Sequence, residues 1–392
     1  MKLFLKVLTS FVILTTAFSC AKDDTTNNNC TTPNLNIGEK ITLESTIFEV
    51  EDFPLQWSFN NLTSALSLIP NFEGRITGFY NQSINGFAIE NASLETLNSI
   101  KNLAWVKSFE LAQQISISQS CVPPPVDQDS EVIPENLRIT GFKDGTGKRA
   151  WVIDTGVDAD HVDLNVNEEL SRNFTENSLL NDLGIFQDNL IEDGNGHGTH
   201  VAGIIGAKKN QTGVIGAAYG AEIVAIKVLN DAGQGSSIDL LQALDYVFKT
   251  ASTGDVVNLS LGGDASDLID EAVKNLGRKG ILVSIAAGND SENADNTSPA
   301  RANGINIYTV SAVSNNFRFA NFSNFGNPPI DYAEPGIAIF STYKKGKYAT
   351  LSGTSMAAPH LAAILLINGN TVKTVGIASS DPDGNADKVG GF

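Results

Sequence analysis

The 392-residue chain predicts an α/β fold, a doubly wound, mostly parallel sheet flanked by helices, preceded by a small α+β unit. Three observations lead there. After Ile133, short β-branched apolar runs alternate with amphipathic helical stretches, as buried parallel strands joined by crossover helices do. A stiff acidic segment, Val122-Pro-Pro-Pro-Val-Asp-Gln-Asp-Ser130, divides this region from what precedes it. Before that segment, a shorter stretch carries strand and helix patterns of its own. The length agrees, because chains of this size exceed one typical core.

Taken in order, residues 1–19 read as an export signal. Lys2 and Lys6 precede the apolar stretch Val7 to Phe18, which is too short to span a bilayer permanently. Residues 20–36 are Asn/Thr/Asp-rich and predict a flexible tether. Residues 37–118 form the small unit. Gly78–Tyr80 and Asn85–Ile89 read as strands, and Leu94–Leu103 as a helix, with Leu94, Leu97 and Ile100 on one face. Trp105–Phe109 resumes as a strand, while the opening, Ile37–Phe59, has no clear pattern. Residues 119–132 are the linker. Over 133–392 the expected strands are Ala150–Ile153, Ile223–Val228, Val256–Leu261, Ile281–Ala287 and Ile307–Val313, with helices at Ser237–Thr250 and Leu268–Lys279. Ala338–Leu351 reads as a hairpin turning at Lys344–Lys347, and the last residues as a polar tail.

Composition narrows the function classes. With 42% hydrophobic and 18% charged residues the chain is globular. A net charge of −18 repels phosphate backbones, so no nucleic-acid partner is expected. The three cysteines, Cys20, Cys30 and Cys121, form no CxxC and no Cys/His cluster, which argues against a zinc site. Ala17-Phe18-Ser19-Cys20 resembles a bacterial lipoprotein signal, implying lipidation of Cys20; the alternative is ordinary secretion with Cys20 free. If Cys20 is lipidated, Cys30 and Cys121 remain as an even pair that could form a disulfide in an oxidising compartment.

Three distant segments carry the chemistry. Asp154 ends the run Arg149-Ala-Trp-Val-Ile-Asp154. His197 sits in Gly194-Asn-Gly-His197-Gly-Thr-His-Val-Ala-Gly203, and Ser355 in Ser352-Gly-Thr-Ser355-Met-Ala-Ala-Pro-His360. In an open α/β sheet, reactive groups gather at strand carboxyl ends and helix N-termini, where these three are expected. Together they can form a serine nucleophile, its base and the carboxylate orienting that base. Singly, Asp154 could be a turn residue and Ser355 an N-cap. His200 and His360 read as packing histidines. Asp154-Thr-Gly156 also spells an aspartic-protease triplet, but it lacks a second copy and would require a homodimer.

In the order Asp…His…Ser these blocks resemble the subtilases, the subtilisin-like serine proteases, across about residues 133–370. Ile285-Ala-Ala-Gly-Asn289 matches the block whose amide completes the oxyanion hole, which implies that role for Asn289. Asn258-Leu-Ser-Leu-Gly-Gly263 matches the edge that pairs with extended substrate, implying contacts from Ser260, Leu261 and Gly262. Ala287 and Gly288 would line an apolar primary pocket. Asp163 and Asn210, with the carbonyls of Lys208, Thr212 and Val214, match a structural Ca²⁺ site, for which Glu131 is a further candidate ligand. No cofactor is implied for catalysis. Tyr80–Phe109 is similar to the inhibitor-type propeptide of this family, so residues 37–118 would inhibit intramolecularly until self-cleavage within 110–133. The resemblance therefore implies a secreted, monomeric serine endopeptidase acting on protein or peptide substrates. It would work outside the cell or at the bacterial envelope, touching membrane only through a lipid anchor. The rival reading is a surface binding protein that keeps the fold without activity, which would need neither His197 nor Asn289.

Overall fold

The computed structural model describes residues 45–51, 56–117, 124–175 and 191–392. The signal, the tether and all three cysteines lie outside the described residues. The small N-terminal unit comprises β1 (Ser45–Val50), α1 (Phe59–Leu66), β2 (Arg75–Asn81), β3 (Asn85–Glu90), α2 (Leu94–Lys101) and β4 (Val106–Leu111). Its antiparallel sheet has the order β2-β3-β1-β4, so β1, from the stretch without a clear pattern, is an interior strand. The reason is burial on both faces, which removes the alternation that marks a half-exposed strand. Phe48, Phe79, Phe87 and Ile89 point toward α1 and α2, with Phe48 and Phe87 stacked at 5.1 Å. Their neighbours Ile47, Tyr80 and Ala88 point the other way, into the core of the larger domain.

That domain contains β5 (Gln114–Ser116), α3 (Leu137–Thr140), β6 (Lys143–Asp144), β7 (Arg149–Asp154), β8 (Arg172–Asn173) and α4 (His197–Gly206). It continues through β9 (Ala218–Tyr219), β10 (Glu222–Lys227), β11 (Gln234–Ser236), α5 (Ser237–Thr250), β12 (Val256–Leu259), β13 (Gly262–Asp264) and α6 (Asp267–Arg278). It ends with β14 (Leu282–Ala286), β15 (Thr297–Ser298), β16 (Ile307–Val313), β17 (Ile330–Pro335), the hairpin β18 (Ile339–Tyr343) and β19 (Lys347–Leu351), α7 (Thr354–Asn368), β20 (Lys373–Ile377) and β21 (Lys388–Gly391). The central sheet has the order β20-β21-β17-β16-β14-β12-β7-β10-β8, parallel except for β20. Along β7, Trp151 and Ile153 face the layer of α5 and α6, whereas Ala150 and Val152 face α4 and α7. Two covered faces explain the unbroken apolar run.

One expectation needs correction. The C-terminal residues are not a loose polar tail: β20 and β21 extend the sheet, and the Phe392 N–H donates to the Thr140 carbonyl. Their Gly-rich, four- to five-residue runs carry too little periodicity to read in sequence. The linker is likewise tied down over its described part, because Val126 exchanges both backbone hydrogen bonds with Tyr348 and Val132 donates to Gly213.

The feature that positions the site is β5. It leaves the small unit, runs between β11 and β13, and pairs antiparallel with both. Gly235 and Gly263 face Ile115, and Gln234 and Gly262 face Ser116.

Candidate active site

Asp154 ends β7 at the carboxyl edge of the sheet, and both it and His197 are buried. Its Oδ1 accepts from His197 Nδ1 at 2.8 Å and from the Thr155 N–H at 2.7 Å. His197 opens α4 after Gly196, whose φ of +107° suits glycine. Gly198 is equally constrained, since an added Cβ would stand 2.1 Å from the Gly156 carbonyl and 3.1 Å from Asp154 Cβ. Small residues at these positions let the helix start close against the strand end.

Asp193, which sequence reasoning missed, assembles this corner. Its Oδ1 accepts from the Thr155 hydroxyl at 2.8 Å and the Gly196 N–H at 2.7 Å. Its Oδ2 accepts from the N–H and hydroxyl of Thr199. One buried carboxylate therefore ties the loop after Asp154 to the helix bearing His197. Asp in a Gly/Asn-rich turn before a helix was the available signal.

Ser355 is the second residue of α7, at the positive end of that helix. Its Oγ donates to the Ser260 carbonyl at 3.3 Å, and Ser260 Oγ donates back to the Ser355 carbonyl at 2.9 Å. Pro359 explains the second bond: lacking an N–H, it leaves the carbonyl four residues earlier without its helical donor. Pro359 lies in the second turn of α7. His197 Nε2, the atom that would take the proton, has no hydrogen-bond partner.

Asn289 Oδ1 accepts from both the N–H and the hydroxyl of Thr354, at 2.8 and 3.0 Å, which fixes the amide. Its Nδ2 is directed to the start of α7, where a Cβ on Gly353 would stand 3.3 Å away. Of the predicted substrate contacts, Gly262 pairs with β5, Ser260 engages Ser355, and Leu261 is buried in the main core. Ala287 is also in that core. Its carbonyl accepts from Asn324 Nδ2, another residue the sequence did not single out, and Asn324 N–H donates to the Gly288 carbonyl.

His200 Nε2 lies 3.0 and 3.1 Å from the Ile339 and Ala349 carbonyls, and burial pushes its pKa down to about 3. His360 bridges the Met356 carbonyl and the Asn136 side chain, with its pKa pushed down to about 4 by burial. Both are neutral packing histidines. Among the described residues no cluster of three or more His, Cys, Asp or Glu could hold a metal.

Asp163, Asn210 and Val214 do come together. Asp163 accepts from Asn210 Nδ2 at 2.8 Å, the Val214 N–H at 2.9 Å and the Tyr348 hydroxyl at 3.0 Å. Lys208 N–H donates to the Asp163 carbonyl, Thr212 N–H to Asn210 Oδ1, and Gln211 N–H to Glu131 Oε2. A carboxylate and an amide are hard-oxygen ligands of the kind Ca²⁺ takes, but here the Asp163 oxygens are occupied by N–H and O–H donors. Burial raises the Asp163 pKa. Binding would require Asn210 to turn its amide oxygen inward.

A buried carboxylate–imidazole pair, a serine at a helix start and an amide beside it, at the carboxyl edge of a parallel sheet, define the serine protease class. Comparison with known proteins agrees: residues 150–370 match the subtilase family, and the chain belongs to it. It is 40% identical over 243 residues to an intracellular serine protease of Paenibacillus polymyxa, covering 61% of this chain and 70% of that protein. It is 37% identical over 230 residues to subtilisin DY of Bacillus licheniformis, covering 58% and 78%. A cold adapted subtilisin-like serine proteinase of known structure superposes with a TM-score of 0.55 at 34% identity, covering 64% of this chain and 90% of that one. The chain is a subtilisin-like serine endopeptidase acting on protein substrates.

Proposed function

We propose that this endopeptidase is exported as a proform, processes itself, and works through Ser355, His197 and Asp154. His197 takes the proton from Ser355 Oγ as that oxygen attacks the scissile carbonyl carbon. Asn289 and the N-terminus of α7 hold the resulting oxyanion. Collapse breaks the C–N bond, and His197 returns the proton to the departing amine. Water, deprotonated by His197, then hydrolyses the acyl-enzyme. Asp154 keeps the imidazole in its working tautomer and stabilises the imidazolium.

The observation that carries the reading is β5, a stretch of the chain's own backbone seated as a strand between Gln234–Ser236 and Gly262–Gly263, two residues along from Ser260, whose carbonyl accepts from Ser355. Residues 37–118 then act as the propeptide, whose tail inhibits by occupying the substrate's place. The assignments of Ser260, Leu261, Gly262, Ala287 and Gly288 to substrate binding belong to the same proposal, as does a monomeric enzyme. Labelling with a fluorophosphonate probe, located by peptide mapping, tests the nucleophile. Label on Ser355, with casein hydrolysis lost in Ser355→Ala, supports the reading; label elsewhere overturns it.

Export through residues 1–19, lipidation of Cys20 and location at the cell envelope complete the proposal, and the mass of the membrane-bound form decides the lipid. With the cut before Cys121, a Cys30–Cys121 disulfide would hold processed enzyme to its anchor, and identical migration on reducing and non-reducing gels would exclude it. Ca²⁺ held by Asp163, Asn210 and the carbonyls of Lys208, Thr212 and Val214 would brace that loop. Millimolar Ca²⁺ should then raise Tm and chelator lower it, whereas equal Tm in both removes the ion from the account.

A further inference from the structure

We propose that the hairpin of β18 and β19 positions the catalytic base, with Tyr343 and Lys344 holding the turn from which His197 projects. This rests on the reading above that His197 takes the proton from Ser355. Four consecutive side chains, at the end of β18 and the start of its turn, reach four carbonyls that bracket His197. Ser341 Oγ donates to the His200 carbonyl at 2.8 Å, and Thr342 Oγ1 to the Thr199 carbonyl at 2.7 Å. The Tyr343 hydroxyl donates to the Asn195 carbonyl at 3.0 Å, and Lys344 Nζ donates to the Gly194 carbonyl. Two of these carbonyls follow the imidazole in sequence and two precede it, so the hairpin grips both sides of the helix start.

Two glycines make room for the grip. A Cβ added at Gly203 would overlap Thr342 Oγ1 and Ser341 Oγ, so glycine lets both hydroxyls reach the backbone of α4. A Cβ added at Gly196 would overlap the Tyr343 ring, which takes the place a side chain would fill. The hairpin is anchored in turn on its far side. There the Gly346 N–H donates to Asp158 Oδ2 at 2.8 Å, and the Tyr348 hydroxyl to Asp163 Oδ2 at 3.0 Å.

The path from Tyr343 to the imidazole is short. Asn195, whose carbonyl takes the Tyr343 hydroxyl, accepts the His197 N–H on its Oδ1 at 3.2 Å. Its own N–H donates to Asp193 Oδ1 and its Nδ2 to the Asp231 carbonyl, both at 3.1 Å. Every polar group of Asn195 is therefore fixed, and Tyr343, itself buried, supplies one of the four bonds. The imidazole ring is tied through Nδ1 to Asp154, while Nε2 has no partner among the described residues. A turn free to shift would move Nε2 against Ser355 Oγ, and a displacement of about 1 Å can cost roughly a hundredfold in rate. Tyr343 and Lys344 are thus positioning residues for the proton transfer.

Matured wild type, Tyr343→Phe, Lys344→Met and Lys344→Arg are compared on one internally quenched peptide, with active sites counted by fluorophosphonate labelling taken to completion. Tyr343→Phe and Lys344→Met should each lower kcat per labelled site roughly three- to thirtyfold, with KM within about twofold of wild type and Tm little changed. Lys344→Arg keeps a cation able to reach the Gly194 carbonyl and should recover most of the loss. If kcat per labelled site is unchanged in either Tyr343→Phe or Lys344→Met, or Lys344→Arg is no better than Lys344→Met, the inference is overturned and the peptidase reading stands. Wild type that hydrolyses neither the peptide nor casein brings down the peptidase reading, and the inference with it.

Discussion

At the residue scale, the site depends on polar atoms whose partners are fixed before substrate arrives. Thr354 holds Asn289 Oδ1 through two bonds, which fixes the amide that the proposed mechanism turns toward the oxyanion. Asn289→Ala should lower kcat by roughly 10² to 10³, because the lost donor acts mainly in the transition state. KM should change little, and steady-state kinetics on a peptide substrate would separate the two. That Asp154 meets His197, and that Asn289 reaches the start of the helix bearing Ser355, was legible because each sits in a short, distinctive block. Asp193 and Asn324 were not, since their work is to bond backbone groups brought near by the fold. The reciprocal Ser260–Ser355 bonds were equally hidden, being a tertiary answer to the donor Pro359 removes.

At the scale of elements, the small unit is fastened to two adjacent helices. Asp245, on α5, accepts from the N–H groups of Asn81, Gln82 and Ser83 at 3.2, 2.7 and 2.6 Å. Asn275, on α6, donates to the Ser83 carbonyl at 2.6 Å. Glu110, in β4, accepts from Ser266, the N-cap of α6, at the positive end of that helix. Asp245→Ala removes a charged acceptor from three donors, each such bond being worth about 1.5–3 kcal/mol. Activity should therefore appear sooner during maturation of that variant, as followed by a continuous peptide assay; an unchanged lag would show that this contact does not limit release. Helices α5 and α6 were readable because their apolar residues recur at helical spacing. β1, buried on both faces, and the short glycine-rich β20 and β21 gave no period to read.

At the scale of the whole molecule, the C-terminal strands lock the sheet through buried carboxylates. Asp387 accepts from the Ser311 hydroxyl at 2.6 Å, and its pKa is pushed up to about 7 by burial, then by the charges of Asp381, Asp383 and Asp331. A carboxyl raised in the folded state favours folding fully below its unfolded pKa, near 3.9, and this contribution is lost as pH rises through the folded value. Asp331, pushed up to about 6 by burial, acts in the same direction. Asp387→Asn should thus gain Tm over wild type at pH 8 and gain little at pH 4; a difference independent of pH would contradict this. The α/β class and the parallel strands were legible by alternation over the core, but the place of β5 was not, because three residues pairing across about 120 to 150 positions leave no local signature.

The measurement closest to the central claim is intact mass of the full chain and of its Ser355→Ala variant, expressed and purified side by side. The account predicts a wild-type fragment beginning within 110–133, and its absence from the variant. Two equal full-length masses, or the same fragment from both chains, would contradict self-processing by Ser355.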